Sequence, residues 1–301
     1  MRIFVTGASG WIGSAVVPEL LSAGHQVTGL ARSDDSAAAI AAAGADVLRG
    51  SLHDLDALRA GAAGSEGVVH LAFIHDFATS PAEVAARMQA AIQADAQAVE
   101  AMGAALAGSH KPFVVASGTP ALAGGVATER DNPPLGGPMA GRGATAQAAI
   151  ELAGRGVRSS VLRLPRSVHG DGDRHGFIAR LIAIAREHGV SGYPGDGSNR
   201  WPAAHVLDVA TLTRLAVERA PAGSVLHAVG DEGVPVRDIA AVIGRHLNLP
   251  VDSRPAQDFG FLGMILSADQ PASSALTRDL LGWAPTQPGL IEDLDQGHYF
   301  A

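Results

Sequence analysis

The sequence predicts an α/β fold in which a doubly wound parallel sheet is joined to a smaller C-terminal lobe. Short apolar runs alternate with helical segments from the N-terminus to about residue 165, which is the pattern of βαβ units. The first apolar run, 3–5, ends at a glycine-rich turn that leads straight into a helix. Of the 301 residues, 47 % are apolar, enough to build a full core in a chain of this length.

The charge balance and the composition exclude several classes of partner. The chain has 22 Lys and Arg against 30 Asp and Glu, so it would repel nucleic acid rather than gather it. It has no cysteine, which excludes disulfides and thiolate metal sites. No apolar run approaches the ~20 residues that span a bilayer. Because no charged-then-apolar leader precedes the first strand, we expect a cytoplasmic protein whose partner is a small molecule.

The turn after the first strand has the context of a dinucleotide-binding loop. Gly7 permits a turn that a side chain would block, Gly10 lets the backbone approach a pyrophosphate, and Gly13 lets the helix pack closely on the strand. The helix then presents its N–H groups and the positive end of its dipole to the phosphates. Small residues also serve plain helix–strand packing, but a second strand at 26–30 completes the unit that the dinucleotide fingerprint requires. The expected cofactor contacts here are Gly7, Ser9, Gly10, Trp11, Ile12 and Gly13.

Residues 6–13, Thr-Gly-Ala-Ser-Gly-Trp-Ile-Gly, resemble the cofactor loop of the extended and atypical short-chain dehydrogenase/reductases. That superfamily includes the NAD-dependent epimerase/dehydratases. The resemblance runs from Arg2 to the C-terminus, where residues 281–285, Leu-Gly-Trp-Ala-Pro, are similar to a closing segment of the family. It implies a Rossmann-type fold, a nicotinamide cofactor and a small-molecule substrate.

The second and third strands predict how the adenosine end of the cofactor is held. The second strand is followed by Arg32 and Ser33, and an Arg at this place accommodates a 2′-phosphate. NADP(H) is therefore favoured over NAD(H), unless Arg32 is only a solvated loop residue. After the third strand, 46–48, residues 50–54 resemble the family's Gly-Asp-Leu-x-Asp, with Ser51 in place of the acid that holds adenine and Leu52 beside it. Asp54 is expected to cap the next helix.

The fourth strand, 67–73, resembles the family's Val-x-His-Leu-Ala and ends where the cofactor is expected. We assign Leu71, Ala72 and Phe73 to the cofactor site, and His70 to the core. His75 lies beyond the strand, in a loop that could line the nicotinamide. The segment 81–107 is predicted to be one long helix with a buried face, and the resemblance implies a homodimer through it.

The fifth strand, 113–119, resembles the one that ends in the family's catalytic Ser or Thr, so Ser117 or Thr119 is expected to hydrogen-bond a substrate carbonyl. The family's proton donor, a Tyr in Tyr-x-x-x-Lys, has no counterpart in the helical segment 137–150. Arg142 is the one cation of that segment and is assigned the electrostatic role of the missing lysine. It cannot donate a proton at neutral pH, because its pKa exceeds about 12.

Substrate-side residues are expected after the sixth strand, 158–164. Residues 163–170 resemble the family's Arg-Pro-x-x-Val-Tyr-Gly, with His169 at the Tyr position. Arg200 and Trp201 are assigned as a clamp and an apolar wall for the substrate. Residues 171–175 contain two acids and a histidine, but their spacing fits no standard cage, so no metal site is expected. We expect residues 1–165, with returns from about 203–249, to form the nucleotide domain, and 166–202 with 250–301 the substrate lobe.

Two accounts of function remain open. In the first, the chain is an NADP(H)-dependent oxidoreductase acting on a carbonyl/alcohol pair, and the proton comes from water, Thr119 or a histidine such as His75, His169 or His205. In the second, it is a catalytically silent NADP(H)-binding sensor or regulatory protein. A sugar-nucleotide epimerase or dehydratase is a further alternative, but cationic residues are few in the predicted lobe, which favours a smaller, less charged substrate.

Overall fold

The structure, a computed structural model, describes residues 1–74, 81–122, 124–133 and 140–301. Its strands are β1 (Arg2–Thr6), β2 (Gln26–Ala31), β3 (Asp46–Arg49), β4 (Gly67–His70), β5 (Pro112–Gly118), β6 (Arg158–Leu164), β7 (Ser167–His169), β8 (Ser191–Tyr193), β9 (Arg200–His205), β10 (Ser224–His227), β11 (Asp231–Pro235) and β12 (Val251–Ser253). Its helices are α1 (Trp11–Ser22), α2 (Asp34–Ala42), α3 (Leu55–Ala63), α4 (Pro81–Leu106), α5 (Ala140–Glu151), α6 (Phe177–His188), α7 (Val206–Arg219), α8 (Val236–Leu247), α9 (Leu262–Leu266), α10 (Ala275–Leu281) and α11 (Leu290–Asp295).

The main sheet has seven parallel strands in the order β10-β6-β5-β4-β1-β2-β3. The chain moves outward from β1 to β3, then crosses back to β4 and continues in the other direction. The strand order therefore reverses between β1 and β4. Ligands of doubly wound sheets bind outside the carboxyl ends of the strands at this switch point, which directs attention to the exits of β1, β4 and β5.

Helices cover both faces of the main sheet, and each face has its own core of buried apolar residues. On one face, α1, α2 and α7 supply buried residues such as Val16, Ile40 and Leu212. On the other, α3, α4 and α5 supply Leu58, Met102 and others. The predicted doubly wound α/β sheet is thus confirmed.

The small lobe has its own sheets and its own core. β7 and β9 run parallel, β11 pairs antiparallel with β9, and β12 pairs with β8. Within 203–249, α7 and β10 return to the main sheet as expected of this segment, whereas α8 packs its apolar face into the lobe core, with Ile239 and Ile243 buried there. Trp283, in the segment 250–301 expected mainly in the lobe, is buried in the core of the main sheet.

Side chains cap α3 and α7 in different ways. Asp54 caps α3, as expected, by accepting the Ala57 N–H at 3.0 Å. α7 begins at Val206. Its N-cap is His205, and Asp208 lies inside the first turn, where it accepts backbone N–H groups from Thr286 and Gln287. Across the described segments, every helix is too short or too polar to cross a membrane.

Candidate active site

A cradle of backbone groups lies between β1 and α1. Gly7 has φ +72°, which a side chain rarely adopts, and its carbonyl accepts the Gly10 N–H at 3.0 Å. A Cβ on Gly13 would lie 2.0 Å from that carbonyl oxygen, so only glycine fits. No side chain caps α1, and the N–H groups of its first turn are left for an anion. The cradle therefore fits the pyrophosphate of a dinucleotide.

The glycine loop also touches the exit of β4 and the start of the lobe. A Cβ on Gly7 would lie 2.8 Å from the backbone nitrogen of Ala72, so the two backbones are in close contact. Trp11 donates its indole N–H to the Val168 carbonyl at 2.8 Å. The side chain of Trp11 therefore fixes the loop against β7, while its backbone stays at the helix N-terminus with Ile12 and Ser9.

The adenosine end is expected near the exits of β2 and β3. Arg32 is exposed and makes no ion pair within the described residues, and Ser33 caps α2 by accepting the Ser36 N–H at 3.2 Å. Arg49 lies opposite Ala31 in the sheet and forms an ion pair with Asp34. Ser51 accepts the His53 N–H at 3.2 Å, and Leu52 is buried beside it. Two arginines and two serines thus follow or end the strands at this end of the predicted site: Arg32, Arg49, Ser33 and Ser51.

A buried polar chain starts at Thr6, directly before the glycine loop. The Thr6 hydroxyl accepts the Ala72 N–H at 3.3 Å and lies 2.7 Å from Nδ1 of His70. His70 Nε2 lies 3.2 Å from Oδ1 of Asp95. Because a carboxylate can only accept, Nε2 carries the ring proton and the Thr6 hydroxyl donates to Nδ1. The assignment of His70 to the core is therefore correct, and its two ring nitrogens are both satisfied.

The chain of contacts ends at Arg142, on α5. Its Nη1 lies 3.0 Å from Oδ2 of Asp95, and its Nη2 donates to the Ala116 carbonyl at 3.2 Å. The guanidinium carbon lies 4.1 Å from the centre of the Phe73 ring. The guanidinium of Arg142, paired with Asp95, therefore lies at the exits of β4 and β5, between Phe73 and the strand that carries Ser117.

Asp95 is a site residue that the sequence analysis missed. It lies in α4 and is 1 % exposed. Its position continues the stripe of apolar residues at 88, 92, 99 and 102, since it follows Ile92 by three and precedes Val99 by four. An acid inside a buried stripe needs a partner, and this was the available signal for a buried ion pair.

Ser117 and Thr119 lie at the carboxyl end of β5. Both are largely buried, at 6 % and 8 % exposure. The Ser117 hydroxyl makes no hydrogen bond within the described part of the chain, and the Thr119 hydroxyl oxygen is buried with no partner there. Thr119 is fixed through its backbone, because its N–H donates to the Leu164 carbonyl at 2.9 Å and its carbonyl accepts the Gln270 side-chain amide at 2.8 Å.

The sequence model of the NAD dependent epimerase/dehydratase family matches residues 3–228, which include the cradle, the switch point and β5. The chain belongs to this family. The resemblance seen in the sequence is thereby confirmed.

Relatives extend the match over the whole chain. An uncharacterized protein of Schizosaccharomyces pombe is 45 % identical over 306 residues, covering 100 % of both chains. A 4-hydroxy-2-methyl-3-oxo-4-farnesyl-3,4-dihydroquinoline-1-oxide ketoreductase of Stigmatella aurantiaca is 29 % identical over 237 residues, covering 78 % of this chain and 70 % of that one. Among solved structures, the UDP-glucose 4-epimerase of Thermotoga maritima has a TM-score of 0.79 at 20 % identity, covering 100 % and 98 % of the two chains, a likeness of fold. These comparisons support a general enzyme role without specifying the type of reaction or the substrate.

The family's Tyr and Lys have no substitute among the tyrosines of this chain. Tyr193 is on β8 in the lobe. Tyr299 lies in the 3-10 turn His298–Phe300 with its hydroxyl 3.3 Å from Oδ2 of Asp173, and burial raises its pKa well above the usual value. Neither residue is on α5. This epimerase/dehydratase-family member therefore has no tyrosine on the helix where the resemblance places the family's Tyr-x-x-x-Lys.

The lobe residues assigned to the substrate are placed differently from the expectation. Trp201 is fully buried in the lobe core and Arg200 forms a two-point ion pair with Asp269, at 3.0 and 2.8 Å. Trp201 therefore presents no open apolar surface to a substrate, and the guanidinium of Arg200 is already occupied by Asp269. His169 is fully buried, with Nδ1 2.8 Å from Asp293, so it does not line an open pocket either. The contacts that occupy Arg200 and His169 come from residues more than sixty positions away.

Two of the histidines considered as proton donors lie on β7 and at the end of β9 rather than on β5, namely His169 and His205. His205 caps α7 through Nδ1, which accepts the Leu207 N–H at 3.2 Å. Its pKa is lowered by burial and by the neighbouring His169. His75 lies outside the described residues. For metals, the part of the chain that the structure covers contains no cluster of His, Asp or Glu able to hold an ion.

Proposed function

We propose that the chain is an NADP(H)-dependent oxidoreductase that interconverts a carbonyl and an alcohol in a small substrate, with a proton donor other than tyrosine. The single observation that carries the proposal is the pair of hydroxyl groups at the end of β5. The Ser117 hydroxyl makes no hydrogen bond within the described residues, and the Thr119 hydroxyl oxygen is fully buried there without a partner. Both lie at the carboxyl end of β5, beside the switch point of the sheet. A buried hydroxyl without a partner is costly, so a ligand that pairs with Thr119 is expected.

The chain's own residues account for binding and orientation. The cradle of Gly7, Gly10 and Gly13 holds the pyrophosphate, with the backbone of residues 71–73 beside it. When bound, the nicotinamide supplies or accepts the hydride. The hydroxyl of Ser117 or Thr119 donates to the carbonyl oxygen, where negative charge develops. The Arg142 guanidinium, paired with Asp95, is held at the end of β5 by its hydrogen bond to the Ala116 carbonyl. The proton for the oxygen comes from water or from His75.

The preference for NADP(H) rests on Arg32. Its exposed, unpaired side chain follows β2, where a 2′-phosphate would bind, and Arg49 offsets the charge of Asp34 beside it. We expect NADPH to bind at least about ten times more tightly than NADH, since a charge-assisted hydrogen bond contributes about 1.5–3 kcal/mol. Calorimetric titration of both cofactors measures the ratio. Arg32→Ala should abolish the preference, whereas Arg59→Ala, whose side chain pairs with Asp56 on α3, should keep it. An Arg32→Ala protein with the same preference would remove this part of the proposal.

The rival function is a silent cofactor-binding protein, and one experiment separates the two. The purified protein is incubated with NADPH and a panel of aldehydes and ketones, and cofactor oxidation is followed. The oxidoreductase proposal expects turnover of at least one compound. Tight NADPH binding with no turnover of any panel member would favour the sensor. A sugar-nucleotide substrate is less favoured, because Arg200 is already paired with Asp269 and few other cations remain for a diphosphate.

A further inference from the structure

Arg166 is a cation without an anion. It follows β6, and its Nη2 donates to the side-chain oxygen of Gln270. Its Nε is buried and makes no hydrogen bond, and no carboxylate lies within ion-pair distance of the guanidinium in the described residues. The residue as a whole stays partly exposed, so one edge of its side chain can be reached from outside.

Three other arginines differ from Arg166 in this respect, because Arg142 pairs with Asp95, Arg200 with Asp269 and Arg254 with Asp258. Arg163 also has no ion pair within the described residues, but it is 2 % exposed and its Nη1 donates to the Asp131 carbonyl at 2.7 Å, so it is closed to a ligand. Burying a guanidinium without a counter-ion costs free energy that a paired one recovers. Burial lowers the pKa of Arg166 to about 10, so the side chain is still positively charged at neutral pH. A positive charge kept at this cost points to an anion that the protein itself does not supply.

Gln270 connects Arg166 to the end of β5. Its oxygen accepts from Arg166, and its amide nitrogen donates to the Thr119 carbonyl at 2.8 Å. Both hydrogen-bonding ends of the amide are thereby used, and Gln270 is 4 % exposed. The guanidinium is thus held at a fixed distance from Thr119, whose hydroxyl oxygen is also buried and without a partner. The Gln270 side chain therefore links the unpaired guanidinium of Arg166 to the backbone of Thr119, the residue whose hydroxyl also has no partner.

We propose that Arg166 binds a carboxylate of the substrate, so that the compound whose carbonyl meets Ser117 or Thr119 is a small oxo acid, and its alcohol a hydroxy acid. A guanidinium matches a carboxylate with two parallel hydrogen bonds, and a single available cation suits a single carboxylate better than a diphosphate. The carbonyl part of this inference rests on the proposed oxidoreductase function, whereas the carboxylate site does not.

The test measures binding first, so that it does not depend on turnover. Oxamate, a carboxylate with a carbonyl that is not readily reduced, and its neutral ester ethyl oxamate are titrated into the NADPH-loaded protein by calorimetry. Oxamate should bind at least tenfold more tightly than the ester. Arg166→Gln should weaken oxamate binding about ten- to a hundredfold, the scale of one charged hydrogen-bonding partner, and leave the ester unchanged. Arg254→Gln is the matched control and should alter neither.

A second variant and a second assay keep every outcome decisive. If Arg166→Gln does not fold, Arg166→Lys retains the charge without the two-point geometry and should lose part of the oxamate preference. Equal binding of oxamate and its ester to the wild type, or oxamate binding unaffected by either substitution, overturns the carboxylate site. The carbonyl panel is then run as matched pairs of oxo acids and their esters. Arg166-dependent oxamate binding without reduction of any compound would retain the site and reject the oxidoreductase. Reduction of esters and acids alike, independent of Arg166, would reject the site alone.

Discussion

The Ser117 hydroxyl lies at the strand exit nearest to Arg142, since Arg142 bonds the carbonyl of the preceding residue, Ala116. If this hydroxyl donates to the substrate carbonyl, Ser117→Ala should lower kcat by about a hundredfold, the scale of one preorganised donor at a developing oxyanion. Cofactor affinity should barely change, because the cradle is untouched. Steady-state kinetics together with NADPH titration separates the two effects.

Thr119→Val is measured in the same two assays, and Ser224→Ala serves as the control variant. Ser224 is on β10 and donates to the Pro221 carbonyl, away from the strand exits of the site. If Ser117→Ala and Thr119→Val both retain the wild-type kcat, neither hydroxyl orients the carbonyl.

Individual residues divide into those that the sequence could reveal and those that it could not. The glycine loop is largely a local feature, because Gly13 is required by the Gly7 carbonyl six residues earlier and Gly7 by its own φ of +72°, whereas the close contact of Gly7 with Ala72 is not local. Gln270 bonds Thr119 across 151 positions and Asp293 bonds His169 across 124. Neither pairing leaves a periodic or spaced signal in the sequence. For the same reason Arg200 and Trp201 could be recognised as side chains with useful chemistry, but not as side chains already occupied.

The packing of α1 against β1 depends on Gly13. Its absent side chain leaves room for the Gly7 carbonyl, which a Cβ would approach to 2.0 Å. Gly13→Ala should destabilise the protein by about 1–3 kcal/mol through this overlap and weaken NADPH binding more than tenfold, because the cradle must open. Denaturant unfolding and calorimetry measure the two. Gly154→Ala, where no atom lies within 4 Å of the added methyl group, should change neither. A Gly13→Ala protein with wild-type affinity would contradict the cradle.

Helices α4 and α5 are joined by the ion pair between Asp95 and Arg142. Arg142→Met leaves a carboxylate that is 2 % exposed without its cation, and breaking such a pair costs about 3 kcal/mol. The double variant Arg142→Met with Asp95→Asn should be less destabilised than Arg142→Met alone, because Asn still accepts from His70 and carries no charge. Denaturant unfolding of both variants gives the coupling. Strictly additive losses would mean that the pair contributes little.

At the level of elements, the periodicity of a helix locates it but does not say which core it joins. The apolar face of α8 is plain in the sequence. That face could pack equally well on the main sheet or in the lobe. In the structure it packs against β8, α6 and α11, and contacts between such distant segments leave no pattern in the sequence.

The two parts of the molecule are also connected by His227, at the end of β10. Its Nδ1 bonds the Ser273 carbonyl at 2.8 Å and must carry the proton, while Nε2 lies 3.3 Å from Nη1 of Arg163 and can only accept. Burial lowers the pKa of His227. Protonation would place two positive groups face to face, so the folded state prefers the neutral ring.

This predicts how stability depends on pH. The unfolded chain takes up the proton near pH 6.5 and the folded chain only at lower pH. The contribution of His227 is therefore present above about pH 6.5 and is lost as the pH falls toward the folded pKa, with a slope of at most about 1.4 kcal/mol per pH unit. His227→Gln should flatten the slope of unfolding free energy against pH, with a remainder from His205, whose pKa is lowered in the same direction. His188→Gln, on the exposed end of α6, is the control. An unchanged slope in His227→Gln would contradict this role.

The central claim is that the whole assembly of cradle, strand exits and unpaired hydroxyls transfers a hydride without a catalytic tyrosine. Deuterium tracing tests it most directly: NADPH labelled at one face of C4 is incubated with the protein and the carbonyl panel, and the alcohol products are analysed by mass spectrometry. The account predicts that one of the two labelled faces delivers deuterium to the carbonyl carbon, and that Ser117→Ala slows the transfer without changing the face. Tight binding of NADPH with no deuterium in any product from either face would contradict it.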